Sequence, residues 1–102
     1  MSVLIKSMDE IINEAVVILK IPDCPNCQKA MQLLESIGVK YTLIDITKVD
    51  LEFDEIMTFL EKKTETRRFP MIFCNSRYVG DFKEIENLHR IGVLESLLTY
   101  RM

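Results

Sequence analysis

The stretch Lys20-Ile21-Pro22-Asp23-Cys24-Pro25-Asn26-Cys27, continuing through Gln28-Lys29-Ala30-Met31-Gln32-Leu33-Leu34-Glu35-Ser36-Ile37-Gly38, decides the fold. Pro25 suits the first turn of a helix, where its missing N–H costs nothing, and Cys24 before it takes the N-cap position. Ala30, Leu33, Leu34 and Ile37 then form one apolar stripe, and Gly38 is the left-handed stop. Upstream, Ala15-Val16-Val17-Ile18-Leu19 is a continuous apolar run ending near Lys20, the pattern of a strand buried on both faces of a central sheet. Downstream, Val39, Tyr41 and Leu43 alternate with Lys40, Thr42 and Ile44 before Asp45, so a second strand follows the helix directly. The three elements make a β-α-β unit, whose right-handed crossover sets the two strands parallel.

The remaining segments extend this unit. Ser7-Met8-Asp9-Glu10 carries the capping-box spacing, with Met8, Ile11, Ile12 and Ala15 recurring at helical intervals, which predicts a short N-terminal helix. Phe53, Ile56, Met57 and Leu60 line one face of a helix that begins near Asp50 and dissolves into the charged stretch from Glu61 to Arg68. Met71-Ile72-Phe73-Cys74 and Tyr78-Val79 flank the turn residues Asn75-Ser76, a β-hairpin that Gly80 ends. A last helical segment starts with Ile85, Leu88 and His89, breaks at Gly92 and resumes through Val93, Leu94, Leu97 and Leu98. The order α-β-α-β-α-β-β-α predicts an α/β fold, a four-stranded mixed sheet flanked by helices on both faces, with the additional N-terminal helix.

Composition bounds what such a chain does. Its 102 residues fit one domain, taken as 1–102, and 48% hydrophobic content supports a core without disulfide staples. Thirteen Lys and Arg against sixteen Asp and Glu give a net charge of −3, with no basic run to follow a phosphate backbone, so nucleic acid is not an expected partner. The Ala15–Leu19 run is far short of the roughly 20 residues needed to cross a bilayer, so no membrane span is expected. The N-terminus has no secretory signal pattern, and a reducing cytosol is the expected compartment.

Three cysteines are an odd count, and two of them form Cys24-Pro25-Asn26-Cys27, which in such a compartment reads as redox-active or metal-binding. At a helix end, free N–H groups and partial positive charge stabilise a thiolate, lowering a cysteine pKa from about 8.5 to roughly 3.5–7.5. Cys24 is then the nucleophile. Cys27, three residues on and under the first turn, is the more buried resolving thiol that attacks a mixed disulfide on Cys24. Lys20 adds positive charge beside Cys24. A zinc site would need two further ligands, and only Cys74 and His89 remain, singly and far apart in sequence. Inert buried thiols are the other alternative, set against a position at the end of a parallel strand, where open α/β sheets place their sites. Cys74 reads as a small buried hydrophobe, His89 as a surface helix residue, and Met57 and Met71 as core filling.

From about Ile11 to Leu98 the chain resembles a dithiol glutaredoxin, a small enzyme of the thioredoxin fold. The resemblance rests on Cys24-Pro25-Asn26-Cys27 against the family's Cys-Pro-Tyr-Cys and on Tyr41-Thr42-Leu43-Ile44-Asp45 as the second strand. It extends to Arg67-Arg68-Phe69-Pro70 against Arg-Thr-Val-Pro, Val79-Gly80-Asp81-Phe82 against a Gly-Gly turn, and Leu88 to Leu94 against the closing helices. It implies that Pro70 is the family's cis-proline beside the redox disulfide, and that Phe69 offers its backbone to the cysteinyl part of glutathione. Lys20 and Arg67 would hold the glycine carboxylate. Phe82, Lys83 and Glu84 would lie where the γ-glutamyl end is received, at a helix N-terminus whose free N–H groups suit a carboxylate. The chain departs from the pattern with Lys20 one residue farther from Cys24, Asn26 for Tyr, Arg68 for Thr, and an acidic Asp81 for the second Gly.

What the resemblance implies is a glutathione-dependent thiol-disulfide oxidoreductase of the cytoplasm, monomeric and without a metal. Its partners would be glutathione and protein disulfides or glutathionylated proteins, with ribonucleotide reductase one candidate. Two alternatives stand beside it: an electron donor recharged by thioredoxin reductase, which Asp81 and the displaced Lys20 favour, and a [2Fe–2S] carrier, against which Pro25 argues.

Overall fold

The computed structural model describes residues 8–99. In chain order the elements are α1 (Met8–Ile11), β1 (Val16–Lys20), α2 (Pro25–Ser36), β2 (Thr42–Asp45), a 3-10 turn (Ile46–Lys48), α3 (Phe53–Thr64), β3 (Met71–Cys74), β4 (Arg77–Gly80), α4 (Phe82–Arg90) and α5 (Leu94–Thr99). The strands lie in the order β2-β1-β3-β4, with β1 parallel to β2 and antiparallel to β3, and β3 antiparallel to β4. Ser7 of the expected capping box lies outside the described residues, although the short helix that follows it is present.

Because side chains alternate across a strand, β1 serves two cores at once. Val17 and Leu19 join Ile12, Ile56, Leu60, Met71 and Phe73 beneath α1 and α3, whereas Val16 and Ile18 join Ala30, Leu34, Ile72, Ile85, Leu94 and Leu98 beneath α2, α4 and α5. Burial of the first four residues of β1 explains its unbroken apolar run.

Several boundaries differ from the periodic reading. The first strand begins at Val16, leaving Ala15 outside it. Val39 is not part of the second strand but closes α2: its N–H donates to Leu34 O at 3.0 Å and that of Gly38 to Glu35 O at 3.1 Å, a Schellman stop with Gly38 at φ 77°. The third helix starts at Phe53 with Glu52 as its N-cap, not near Asp50, because the chain bends at residues 49–51 after a 3-10 turn that Asp45 caps. Thr47 donates to Asp45 Oδ1 through its N–H (2.9 Å) and its hydroxyl (2.6 Å), which holds the Asp45 carboxyl below its ordinary range. The closing helix begins three residues earlier than its apolar spacing suggested, at Phe82, and Gly92 divides it from α5. Asn75 and Ser76 both take positive φ, as a two-residue turn matched to strand twist requires.

Candidate active site

The parallel strand β1 ends at Lys20, and the chain turns through Asp23, a non-glycine residue at φ 56°, to enter α2 at Cys24. Cys24 is the N-cap, with extended backbone (φ −119°, ψ 96°), and Pro25 occupies the first helical position. The Cys27 N–H donates to Cys24 Sγ at 3.1 Å, so the sulfur takes the place of the oxygen that caps most helices. Cys24 and Cys27 form a disulfide across a Cα separation of 5.2 Å. Cys27 is fully buried and Cys24 half-buried, so one sulfur of the pair is reachable and the other is covered.

The segment before β3 completes the redox centre from the other side. The Phe69–Pro70 peptide bond is cis, Pro70 is buried, and Phe69 O lies 3.9 Å from Cys24 Sγ. Phe69 and Cys24, 45 residues apart, meet because β3 pairs with β1 and begins level with its end, Leu19 opposite Met71.

The sequence model of the glutaredoxin family matches residues 16–79, which include both cysteines and the cis proline. The chain belongs to the glutaredoxin family. Among curated glutaredoxins, Glutaredoxin-C2 of Arabidopsis thaliana is 33% identical over 93 residues, covering 88% of this chain and 81% of that protein. Glutaredoxin 1 of Rickettsia prowazekii (strain Madrid E) is 30% identical over 94 residues, 92% of this chain and 97% of that one. Among solved structures, the buckwheat glutaredoxin–glutathione complex superposes with a TM-score of 0.80 at 24% identity, over 90% of this chain and 84% of that one. The dithiolic glutaredoxin of Trypanosoma brucei brucei gives 0.79 at 25% identity, over 92% and 97%. This glutaredoxin therefore has the thioredoxin fold and the redox-active cysteine pair of a thiol-disulfide oxidoreductase.

The other residues singled out in the sequence divide into those near the redox pair and those turned to other tasks. Lys20 lines a hollow of about 410 Å³ with Ile21, Asp23, Cys24, Pro25 and Gln28. Arg67, which the resemblance sets at the glycine carboxylate, bonds Glu61 of α3 at 2.7 Å, with both side chains exposed. Phe82 lies beneath the Lys29 ammonium, 6.0 Å from ring centre to Nζ. Lys83 and Glu84 are exposed on the first turn of α4. Asp81 caps α4 and accepts the Glu84 N–H on Oδ1 at 3.1 Å, so one N–H of this helix N-terminus is engaged within the chain.

Asp81 is the residue whose role the sequence reading missed. Its spacing to Glu84 is that of an acidic N-cap with Glu at the third helical position, a signal open to recognition. Asp81 and Glu84 line a second hollow of about 370 Å³ with Thr64, Glu65, Thr66, Arg68, Tyr78, Val79 and Gly80. Burial, with the Asp81 carboxylate adding to it, raises the Tyr78 phenol above its ordinary pKa and keeps it protonated. Among the described residues no group of three or more His, Cys, Asp or Glu side chains is arranged to hold a metal, and no helix is long and apolar enough to cross a membrane. Cys74 is half-buried rather than buried, and His89 is exposed.

Proposed function

We propose that this glutaredoxin is a glutathione-dependent oxidoreductase that reduces protein disulfides through Cys24 and Cys27 together and removes glutathione from mixed disulfides through Cys24 alone. The observation that carries this reading is the reachable Cys24 sulfur at a helix N-cap, accepting the Cys27 N–H at 3.1 Å, above a fully buried Cys27. In the reduced protein that N–H and the helix end stabilise a thiolate on Cys24.

The Cys24 thiolate attacks a substrate disulfide, whose S–S bond breaks. One half leaves as a thiolate and takes a proton from water, and the other remains on Cys24 as a mixed disulfide. Cys27 gives up its proton and attacks Cys24 Sγ, closing the Cys24–Cys27 disulfide and releasing the second half as a thiol. Two glutathione molecules return the two electrons and depart as glutathione disulfide. The likeness to a buckwheat glutaredoxin solved in complex with glutathione supports that reductant. In this reading Lys20 meets the glycine carboxylate, and the Phe69 backbone beside Pro70 meets the cysteinyl part.

Single-thiol variants test the roles. Cys24→Ser abolishes all activity, whereas Cys27→Ser loses reduction of protein disulfides and keeps deglutathionylation. A folded Cys27→Ser variant inactive in both assays would overturn the division of labour. A second electron source, a thioredoxin-reductase-type flavoprotein, is favoured by one observation, the Asp81 carboxylate engaged at the α4 N-terminus. Turnover coupled to glutathione and glutathione reductase, compared with turnover coupled to thioredoxin reductase, separates the two. A monomer in a reducing cytosol is the form we propose for either.

A further inference from the structure

The turn that delivers Cys24 to its helix carries a charge of its own. Lys20, Asp23 and Cys24 line one hollow of about 410 Å³, and Asp23 directly precedes the sulfur-bearing residue. Its backbone is left-handed, at φ 56°, a conformation that Asp adopts more readily than most residues other than Gly, and the chain enters α2 from it. Adjacent Cα atoms lie about 3.8 Å apart, so a carboxylate and a sulfur opening on the same hollow stay within about one Debye length, roughly 8–10 Å.

The cation of this hollow does not serve Asp23 alone. Lys20 is the register partner of Asp45 across the parallel pair β1–β2, and after the hydrogen bonds from Thr47 its positive charge also helps to hold the Asp45 carboxyl low. Two carboxylates therefore share one ammonium at this end of the sheet. The other elements around the sulfur leave that balance as it is. Gln28 of α2 is uncharged, and Lys29 stands over the Phe82 ring. The segment before β3 presents the Phe69 carbonyl at 3.9 Å, while Arg67 is bonded to Glu61 and Arg68 lines a separate hollow with Asp81 and Glu84.

We propose that Asp23 sets the reducing strength of the Cys24–Cys27 pair. Its carboxylate opposes negative charge on Cys24 Sγ, against the helix end that favours it. The disulfide carries no such charge, so Asp23 raises the free energy of the dithiol form alone, and the pair gives up its two electrons more readily than the helix end by itself would allow. Asp23 acts through Cys24, and the inference rests on the reading of Cys24 as the attacking thiolate.

The test compares the full-length wild type with Asp23→Asn, which removes the charge and keeps a residue that tolerates left-handed backbone. Iodoacetamide alkylation of Cys24 is followed across pH, and the pair is equilibrated with glutathione buffers at a pH above the inflection. In Asp23→Asn the inflection is expected to fall by about half a pH unit and the equilibrium to move about threefold toward the dithiol, both differences shrinking as salt rises. Glu55→Gln, which removes the same charge from α3 outside the hollow, should move neither. An inflection and equilibrium unchanged in Asp23→Asn, or moved as far by Glu55→Gln, would overturn the inference and leave the oxidoreductase reading standing. A wild-type Cys24 that titrates as a free thiol, at roughly 8.5, would overturn the helix-end activation on which the inference rests.

Discussion

Cys24 and Asp81 occupy the same position on two different helices, and the comparison explains what each does. Both are N-caps whose side chains accept an N–H of the first turn at 3.1 Å, from Cys27 in one case and Glu84 in the other. A sulfur at that position gains nucleophilicity, because the helix end favours its ionised form. The Asp81 side chain instead occupies one N–H of the helix end, that of Glu84, and puts an acidic group beside the others. Replacing Asp81 with Gly should therefore lower the Michaelis constant for glutathione several-fold, where tenfold corresponds to about 1.4 kcal/mol. Glutathione carries an ammonium beside its glutamyl carboxylate, so wild-type binding is weakened and not lost. The gap between wild type and Asp81→Gly should narrow with salt, and steady-state kinetics across glutathione concentration and ionic strength measure it. An unchanged constant would remove Asp81 from the ligand's surroundings. Asp81→Ala, which lacks any cap, should cost about 1 kcal/mol of stability in chemical denaturation.

At the scale of elements, α2 is the helix on which the redox site depends, and it is held at both ends. Its start is the Cys24 cap and its end is the Schellman stop, which turns the chain at Gly38 and buries Val39 in the same core as Leu34. An added Cβ at Gly38 meets nothing within 4 Å, so Gly38→Ala should cost only the left-handed backbone conformation, about 1 kcal/mol. In a domain of this size that loss lowers Tm by roughly 4–8 °C, measurable by calorimetry. A second tie joins α2 to the chain entering β2: the Tyr41 hydroxyl donates to the Glu35 carboxylate, and burial together with that bond pushes its pKa up to about 12. A tyrosine that holds its proton more tightly when folded contributes stability that is complete below the unfolded value of about 10 and is lost as pH rises from there through the folded value. Stability should decline between pH 10 and about 12, and Tyr41→Phe should lessen that decline in denaturation curves taken across the range. A decline of the same size in the variant would show that Tyr41 is not its source.

Across the whole molecule, the parts legible in the sequence are those set by local pattern. The run from Val16 to Leu19, the Cys24-Pro25 helix start, the Gly38 stop and the Asn75-Ser76 turn each announce a conformation through residues adjacent in the chain, and together they specify the four-stranded mixed sheet. Features that depend on distant partners were not legible. The Arg67–Glu61 pair crosses from a helix end to a loop, and no helical spacing rule reaches it. The hollow shared by Thr64, Arg68, Tyr78 and Asp81 exists only once β4 lies beside β3 and α3 covers the other side. Asp81 is legible as a cap from its spacing to Glu84, a local signal that its likeness to a glycine turn position obscures.

In the proposed mechanism an N-cap position makes Cys24, and not Cys27, the reactive thiolate. Alkylation of the reduced protein by iodoacetamide across pH, with the modified cysteine identified by mass spectrometry, tests it most directly. Modification is expected at Cys24, with an inflection well below the roughly 8.5 of a free thiol and with Cys27 protected by its burial. An inflection at the free-thiol value, or Cys27 modified first, would contradict it.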